Sequence, residues 1–372
     1  MTQTILPRRQ ESRVSRKKVK KKKKRGFVWF MNRLFLIIIV VIGVGAGWLY
    51  LTPWGHNFRY LMADTLITTQ HRRWAKYIIG ESELQKRVAE YSQQFERNGS
   101  ERDTHTIQPP TLAVEAEKPL VEIQPVSGTN YKGYVMIVHD PTKIRLGVPA
   151  NSGNGEKVSS MVKRLGAVAG VNAGGFDDPS GKGNGFKPIG AVISQGKLYF
   201  NGLGNASSTQ IVGIDKQGKM IAGHYSLKEL QNLNVQEAVT FEPRLIVNGK
   251  GLIKSHRGGW GIAPRTAMGQ ASDGSIIFVV IDGRQPGYSI GADLYDVQKI
   301  LLEHGAVIGA NLDGGASSVL VKDGSIVNKP SSKYGERSLP TAFLVFNDPS
   351  SVNIPNVWKG LTSGDISPRN RK

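Results

Sequence analysis

Near its C-terminal end the chain reads Ala310-Asn311-Leu312-Asp313-Gly314-Gly315-Ala316-Ser317-Ser318-Val319-Leu320, a β-type run that stops in a polar, glycine-rich turn and then resumes. Glycine pairs admit backbone angles closed to other residues and let main-chain N–H groups come close to a ligand. The Asn, the Asp and the two Ser around this pair therefore indicate either a binding site or a tight turn capped by its own side chains. The turn alone leaves both interpretations open.

The surrounding sequence has the same β-rich character. Short β-type runs are separated by Gly, Asn or Asp, and turns such as Asn248-Gly249 and Asp323-Gly324 predict hairpins. The predicted strands cover residues 134–139, 144–148, 168–172, 189–194, 197–200, 210–214, 244–247, 276–281, 307–312, 318–321 and 341–346. Two helices are predicted, at 156–165 and 293–303. Because few helices separate the strands, we expect an α+β domain over 126–349 with mixed, largely antiparallel twisted sheets.

The positive charge of the chain is concentrated at its start. The formal net charge is +20, and residues 1–26 hold twelve Lys or Arg against the single acid Glu11. This basic tail accounts for more than half of the excess, so the total charge does not indicate that the folded domain binds nucleic acid.

An apolar stretch follows the basic tail. Residues 34–51 would span roughly 27 Å as a helix, close to the hydrocarbon thickness of a bilayer. Aromatic residues lie at both ends of this stretch, and the positive-inside rule places the tail in the cytoplasm. A cleaved signal peptide is the alternative, since Gly43 to Gly47 include small residues, but no Ala-x-Ala site follows. We therefore predict an uncleaved transmembrane signal anchor over 27–52, with the rest of the chain outside the membrane.

The remaining segments were assigned from composition. Residues 53–97 are rich in helix formers and predict a helical stalk, 98–125 are rich in Pro, Gly, Ser, Thr and Glu and predict an extended linker, and 350–372 are polar and predict a flexible tail. The chain has no cysteine, which excludes disulfides, thiol nucleophiles and zinc–thiolate sites. These features fit a bacterial envelope protein.

Four further segments place polar residues where a β-type run stops, as the opening turn does. Each alone is explained by a turn or a surface ion pair, but strand ends of one compact domain together build sites. In chain order the five motifs are Asn172-Ala173-Gly174-Gly175-Phe176, Pro264-Arg265-Thr266-Ala267, Asp282-Gly283-Arg284, Asn311-Leu312-Asp313-Gly314-Gly315 with Ser317-Ser318, and Glu336-Arg337.

This ordered set resembles the phosphodiester glycosidase family over roughly residues 126–347. Ala173 and Ala316 stand where the family pattern usually has Gly, and both are small enough to preserve backbone approach. The resemblance implies a hydrolase that breaks the bond between sugar C1 and the phosphate oxygen in phosphodiester-linked sugars, such as N-acetylglucosamine-1-phosphodiesters, of an envelope or exopolysaccharide glycoconjugate.

The residues of the motifs suit that chemistry. Arginine is the preferred side chain for bidentate phosphate recognition, and Arg265, Arg284 and Arg337 are candidates to hold the diester. Asp313 is the first candidate for nucleophile or base, with Asp282 or Glu336 as the second carboxyl group. The candidates for contacts to the sugar or to phosphate oxygens are Asn172, Gly174, Gly175, Asn311, Gly314, Gly315 and Ser317.

Two questions stay open from the sequence. A non-catalytic module that binds anionic cell-wall glycopolymer, or a glycosyl-phosphate transferase in polymer assembly, would use the same arginines. No cofactor is required by the motifs, and His139, His224, His256 and His304 lack metal-ligand spacing. A divalent cation remains an alternative because Asp177, Asp178, Asp282 and Asp313 offer oxygen ligands.

Overall fold

This computed structural model describes residues 19–69, 71–107, 118–178 and 185–366, with side chains from residue 26 onward. The prediction for the basic tail therefore lies largely outside the described residues. The helices are α1 Val19–Leu51, α2 Pro53–Ile67, α3 Lys76–Ile79, α4 Glu81–Ser100, α5 Val158–Leu165, α6 Leu227–Asn232 and α7 Leu294–Glu303. The strands are β1 Val121–Ser127, β2 Lys132–Val138, β3 Ile144–Gly147, β4 Ala169–Asn172, β5 Gly190–Ser194, β6 Lys197–Gly202, β7 Thr209–Asp215, β8 Met220–Tyr225, β9 Val235–Thr240, β10 Arg244–Val247, β11 Lys250–Gly251, β12 Arg265–Ala271, β13 Ile276–Ile281, β14 Ala306–Leu312, β15 Leu320–Lys322, β16 Ser325–Ile326 and β17 Ala342–Val345.

The chain divides into two compact units, Met1–Arg59 and Tyr60–Lys372. In the first unit, Gly26–Leu51 forms an exposed apolar helix of 26 residues, long and apolar enough to cross a membrane. The predicted apolar helix is thus confirmed. Its length and composition are also those of a signal sequence near an N-terminus.

The second unit contains three antiparallel sheets. Their strand orders are β1-β2-β13-β12-β14-β10-β11, β16-β15-β4-β17-β3 and β6-β5-β9-β7-β8. Asn248 and Asp323 adopt positive φ at the hairpin turns that follow β10 and β15, as expected for Asn-Gly and Asp-Gly turns. The predicted α+β class with largely antiparallel sheets and few helices is confirmed.

One apolar core joins the three sheets. It contains Phe278 of the first sheet, Phe343 of the second and Val239 of the third, and the rings of Phe278 and Phe343 lie 5.9 Å apart. Helix α7 covers the other face of the first sheet, and α5 packs beside the second. The helices are therefore outer layers, and the ends of the strands remain free to form loops.

The polar C-terminal segment is packed rather than free as far as residue 366. Trp358 is buried between Phe186 and Phe200, and its Nε1 donates to the Phe186 carbonyl at 3.0 Å. Ile354 and Ile366 are buried in the same core. The segment predicted as a flexible tail from 350 thus contains three buried apolar residues, which leave no periodic signal in a polar sequence.

The helical segment also packs onto the β-sheets. Phe95 of α4 meets the ring of Trp260 edge-on at 5.1 Å. Arg244 of β10 donates to the carbonyl oxygens of Asn98 and Glu101 at 2.8 and 2.7 Å. Helix α4 therefore belongs to the domain instead of standing apart as a stalk. The folded region likewise begins before residue 126, since β1 starts at Val121 and pairs with β2.

Candidate functional site

A cavity of about 510 Å³ lies where several strands end. Arg265 begins β12 opposite the last residue of β13, and Thr266 pairs with Leu312 at the end of β14. Because these strands are antiparallel, the loops after β13 and β14 lie at the same edge as the start of β12. The lining residues are Thr68, Thr69, His71, Phe176, Asp178, Phe241, Trp260, Ala263, Arg265, Arg284, Asn311, Asp313, Gly314, Gly315, Ala316, Ser331, Ser332, Lys333, Tyr334 and Arg337.

Asp313 is the carboxyl group at the centre of the opening motif. Its backbone is fixed, since its N–H donates to the Ala173 carbonyl at 3.0 Å and its carbonyl accepts from Asn172 at 2.5 Å. Its Oδ2 is shielded from solvent and has no hydrogen-bond partner among the described residues. Burial raises the pKa of Asp313 to about 6, although Ser317, Arg337 and Arg284 favour the charged form. The carboxyl group thus has a raised pKa and one oxygen available to a ligand.

Two of the arginines have no acidic partner in the described parts of the chain. Arg265 is buried and donates only to carbonyl groups, those of Trp260, Gly261 and Ala292. Burial lowers its pKa to about 10. Arg284 has φ 58°, and a Cβ on Gly315 would lie only 3.2 Å from its Nη2. Among the described residues no carboxylate lies within ion-pair distance of either guanidinium, so both can take an anionic ligand.

Arg337 is partly neutralised. It forms an ion pair with Asp178, donates from Nη1 to Ser317 Oγ at 3.2 Å, and lies 4.9 Å from the centre of the Phe176 ring. Arg337 and Asp178 both line the cavity. The cavity therefore holds three guanidinium groups and two carboxyl groups, and one carboxyl group is already paired.

Asn172 and Asn311 have different surroundings. Asn172 is fully buried, and its Oδ1 accepts from Thr266 Oγ1 at 2.8 Å and from the Val319 N–H at 3.0 Å. Its amide also holds the Asp313 carbonyl, so Asn172 braces the turn from behind and does not line the cavity. Asn311 lines the cavity, and its shielded Oδ1 has no partner among the described residues.

The glycine N–H groups expected to meet phosphate are mostly engaged. Gly174 donates to Thr341 Oγ1 at 3.0 Å, Gly175 to the Thr240 carbonyl at 3.4 Å, and Gly315 to the Pro264 carbonyl at 2.8 Å. The Gly314 N–H lowers the pKa of Asp313 through a hydrogen bond. Anion contact in this cavity consequently falls to the arginine side chains.

The two acids predicted to accompany Asp313 lie elsewhere. Asp282 accepts from Tyr288 Oη at 3.0 Å, Asn328 Nδ2 at 2.8 Å and the Lys329 N–H at 3.0 Å, and burial raises its pKa. Glu336 accepts from the Ser159 N–H at 2.9 Å and from the Ser159 hydroxyl, near the start of α5. Neither lines the cavity. Both acids fix loops around it.

Several lining residues were not among the candidates from sequence. Asp178 had been considered only as an oxygen ligand for a cation. Trp260 adopts φ 61°, which no sequence pattern revealed. His71, Thr68 and Thr69 come from the helical segment, far from the motifs in sequence. For these lining residues the sequence offered one usable signal: Asp178 is close in sequence to Phe176 of the first motif.

The potential metal ligands that come together are not those of the cavity. In the described parts of the chain, one group of three lies within 4.8 Å: His256, Asp293 and Asp296. Asp293 is also the N-cap of α7 and accepts from the Asp296 N–H at 2.9 Å. Its oxygens are thus already used to begin the helix and to bind His256 Nδ1 at 2.7 Å.

The domain is rich in β-strands, and the ends of its strands surround a cavity lined by arginine side chains. The cavity also contains a carboxyl oxygen that has no hydrogen-bond partner among the described residues. Such a site suits an anionic ligand. Residues 165–346 match the family model described as phosphodiester glycosidase. Over these residues the domain matches the phosphodiester glycosidase family.

Two individual proteins are similar to parts of the chain. The chain is 27% identical over 217 residues to the SPbeta prophage-derived uncharacterized protein YomE of Bacillus subtilis (strain 168), covering 56% of this chain and 32% of that protein. It is 27% identical over 194 residues to N-acetylglucosamine-1-phosphodiester alpha-N-acetylglucosaminidase of Bos taurus, covering 47% of this chain and 34% of that protein. The matched stretch thus spans about a third of each relative's length.

A solved structure has the same fold. It is the zebrafish N-acetylglucosamine-1-phosphodiester alpha-N-acetylglucosaminidase catalytic domain, auto-inhibited by its pro-peptide. The TM-score is 0.54 at 24% sequence identity, and the match covers 66% of this chain and 88% of that one.

Proposed function

We propose that this protein is a membrane-anchored extracytoplasmic hydrolase that cleaves the bond between sugar C1 and the phosphate oxygen of phosphodiester-linked sugars. The sugars we have in mind resemble N-acetylglucosamine-1-phosphodiesters in an envelope or exopolysaccharide glycoconjugate. The family match supports the class of reaction. The apolar helix Gly26–Leu51, preceded by basic residues, supports the anchor.

One observation carries the proposal. A carboxyl group whose pKa is raised to about 6 shares a cavity with two guanidinium groups that have no acidic partner. Buried unpaired charge is unfavourable unless a ligand or a partner compensates it. A phosphodiester bears one negative charge, so it would compensate the arginines while leaving Asp313 free to act on the adjacent carbon.

The chemistry follows from these groups. Asp313 in its ionised form attacks C1, or removes a proton from a water that attacks C1. The C1–O bond breaks, and its electron pair leaves with the phosphate oxygen as a phosphate monoester held by Arg265 and Arg284. Phosphate is a weak base, so this leaving group needs less protonation than an alkoxide would. Water supplies the hydroxyl group of the released sugar in either route.

Asp178 is the second carboxyl group in this proposal. It lines the cavity, whereas Asp282 and Glu336 do not, and it forms an ion pair with Arg337. A charged carboxylate stabilises the positive charge that develops on a sugar ring in an oxocarbenium-like transition state. Asn311 is proposed to bind a sugar hydroxyl or acetamido group through its unpartnered Oδ1.

The test is direct. The full-length protein in detergent is incubated with an N-acetylglucosamine-1-phosphate methyl diester, and both free sugar and methyl phosphate are measured. We expect equal release of the two products, and loss of both in Asp313→Asn, with circular dichroism to confirm that the variant is folded. Asp282→Asn is unsuitable as a control because it would disturb a loop, but Asp365→Asn changes an exposed acid outside the cavity.

The outcomes separate the alternative functions. Methyl phosphate without free sugar, with the sugar found on an added acceptor, would indicate a transferase. Saturable binding of the diester without any product would indicate a non-catalytic binding module. Full activity in a folded Asp313→Asn variant would remove the central assignment.

A further inference from the structure

One wall of the cavity comes from outside the family-matched residues. Thr68, Thr69 and His71 line it, and they belong to the helical segment that follows the apolar helix in the chain. We call residues 61–69 and 71–77 the juxtamembrane segment. The family match begins only at residue 165, so this wall lies outside the matched residues.

The juxtamembrane segment is firmly held on its inner side. Ala63, Ile67 and Ala75 are buried in one cluster with Leu84 and Phe95 of α4. Asp64 accepts from two nitrogens of Arg87, and Thr65 Oγ1 accepts from the Ile262 N–H at 3.2 Å. The contact to the loop of Gly261 is close as well, because a Cβ there would lie 2.5 Å from the Thr65 nitrogen. The wall is therefore a fixed part of the cavity.

The outer side of the segment is exposed, apolar and cationic. Leu61, Met62, Trp74 and Tyr77 are 37%, 44%, 51% and 77% exposed. Arg73 and Lys76 are exposed beside them, whereas the single acid of the segment, Asp64, is buried and paired. Tryptophan and tyrosine with neighbouring cations are typical of the interface between a bilayer and water.

We propose that the juxtamembrane segment lies against an anionic bilayer surface, so that the diester cleaved in the cavity is one whose phosphate carries a membrane-embedded chain. In the chain this segment follows soon after the apolar helix Gly26–Leu51, whose last turn contains Trp48 and Tyr50, which argues for a bilayer as the occupant. The positive charge of Arg73 and Lys76 matches anionic headgroups. This inference rests on the proposed function and on its membrane anchor.

The position of the juxtamembrane segment beside the cavity affects which substrates can enter. In the proposed reaction the sugar lies at Asp313 and the group on the far side of the phosphate extends away from it. The same segment supplies a cavity wall, through Thr68 and His71, and the exposed face with Trp74 and Tyr77. A diester that enters along this wall comes from the surface that the exposed face contacts. Lipid-linked sugar phosphodiesters would thus be favoured over freely diffusing ones.

The absence of cysteine makes the contact measurable in the full-length chain. A Tyr77→Cys variant and a control Leu233→Cys variant, at an exposed apolar residue beyond α6, each carry a single nitroxide label. The labelled proteins are reconstituted into vesicles with phosphatidylglycerol, and collisions with a water-soluble relaxation agent are measured. We expect several-fold protection at position 77 and none at 233. Equal accessibility at both positions would overturn the proposal.

Activity tests the substrate class separately. Vesicles carry an N-acetylglucosamine-1-phosphate diester with a long alkyl chain, and the methyl diester is supplied in solution. A Trp74→Ser/Tyr77→Ser variant should cleave the long-chain diester about tenfold more slowly, the effect of roughly 1.4 kcal/mol, and the methyl diester at the wild-type rate. Equal losses of the cleavage rate on both diesters would mean that Trp74 and Tyr77 have a purely structural role. Higher cleavage rates on both diesters would mean that the segment blocks the cavity. Either result overturns the inference.

Failure of the proposed function would give a different result from failure of this inference. If the wild-type protein releases sugar from neither diester, the hydrolase proposal and the inferred substrate class fail together. The label measurement still decides whether the juxtamembrane segment lies on the bilayer.

Discussion

At the scale of single residues, burial of the Asp313 carboxylate lowers the stability of the folded protein, and the same carboxylate is proposed to act in catalysis. Its pKa in the folded protein is about 6, above the ordinary value of 3.8, because burial disfavours the charged form. The folded state therefore binds this proton more tightly than the unfolded chain does. The resulting stabilisation is complete below pH 4 and is lost as the pH rises through about 6.

The variant Asp313→Asn should consequently be more stable than the wild type at pH 8, by on the order of 1–3 kcal/mol, and little different at pH 4. Its turnover should fall by about a thousandfold or more. Urea unfolding at the two pH values measures the first effect. Asp365→Asn is the matched control with the opposite sign, because hydrogen bonds from Thr362 lower the pKa of Asp365. A loss of stability in Asp313→Asn at pH 8 would contradict the burial argument.

Arg284 adds backbone strain to the same site. Its φ of 58° is the left-handed region, which L-residues with a Cβ occupy at a cost of about 1 kcal/mol. Both Arg284→Gly and Arg284→Ala remove the guanidinium, but only Gly relieves the strain. We expect the Gly variant to be about 1 kcal/mol more stable than the Ala variant, and both to bind inorganic phosphate more weakly in calorimetry. Equal stability of the two variants would show that the strain is absent.

Several of the candidate residues line this cavity, for a physical reason. Arg265, Arg284, Asp313 and Arg337 lie at strand ends or in adjoining loops, which turn residues mark clearly. What could not be foreseen is which polar groups satisfy one another. Asn172 and Asp282 have the same residue types as cavity groups, yet their hydrogen bonds are used inside the protein. Pairing depends on three-dimensional proximity, which spacing in one chain does not encode.

At the scale of elements, a buried cation is one of the contacts that join α4 to the sheets. Arg244 donates to the carbonyl oxygens of Asn98, Ala222 and Glu101, and burial lowers its pKa. Replacing it with Met leaves these carbonyl groups without a donor in a buried site. Arg244→Met should lose about 2–5 kcal/mol in urea unfolding, whereas the exposed Arg97→Met of α4 should change little. If the two variants unfold alike, α4 is not held by this contact.

Helices α5 and α7 and the hairpins at β10 and β15 were predicted, whereas α6 and the strands β8, β9 and β12 were not. Alternating apolar runs and Asn-Gly or Asp-Gly turns define strands locally, so β10 and β15 could be recognised. The amphipathic pattern of α4 was equally clear, with Leu84, Tyr91 and Phe95 on its buried face. A hydrophobic face indicates that the helix packs against another part of the protein, but it does not identify that part. The same pattern therefore suited a free stalk and a helix packed against Trp260.

At the scale of the whole molecule, the folded unit is larger than the family-matched residues. It draws on α4 before them and on the segment around Trp358 after them. Trp358 is 1% exposed, and truncating such a side chain typically costs about 3–5 kcal/mol. Trp358→Ala should therefore show a much lower denaturation midpoint, while Lys359→Ala, its exposed neighbour, should resemble the wild type.

The same argument predicts which fragment folds. A fragment of residues 126–349 lacks most of β1 and the core residues Ile354 and Trp358, whereas a fragment of 60–372 contains the whole second compact unit. Removing these parts exposes the apolar surface of Phe186 and Phe200 and leaves an edge of the first sheet unpaired. We expect the longer fragment to unfold in one cooperative transition and to resist protease, and the shorter one to aggregate or to unfold without a transition. If the 126–349 fragment unfolds cooperatively at the same urea midpoint as the 60–372 fragment, the flanking segments do not contribute to the stability of the domain.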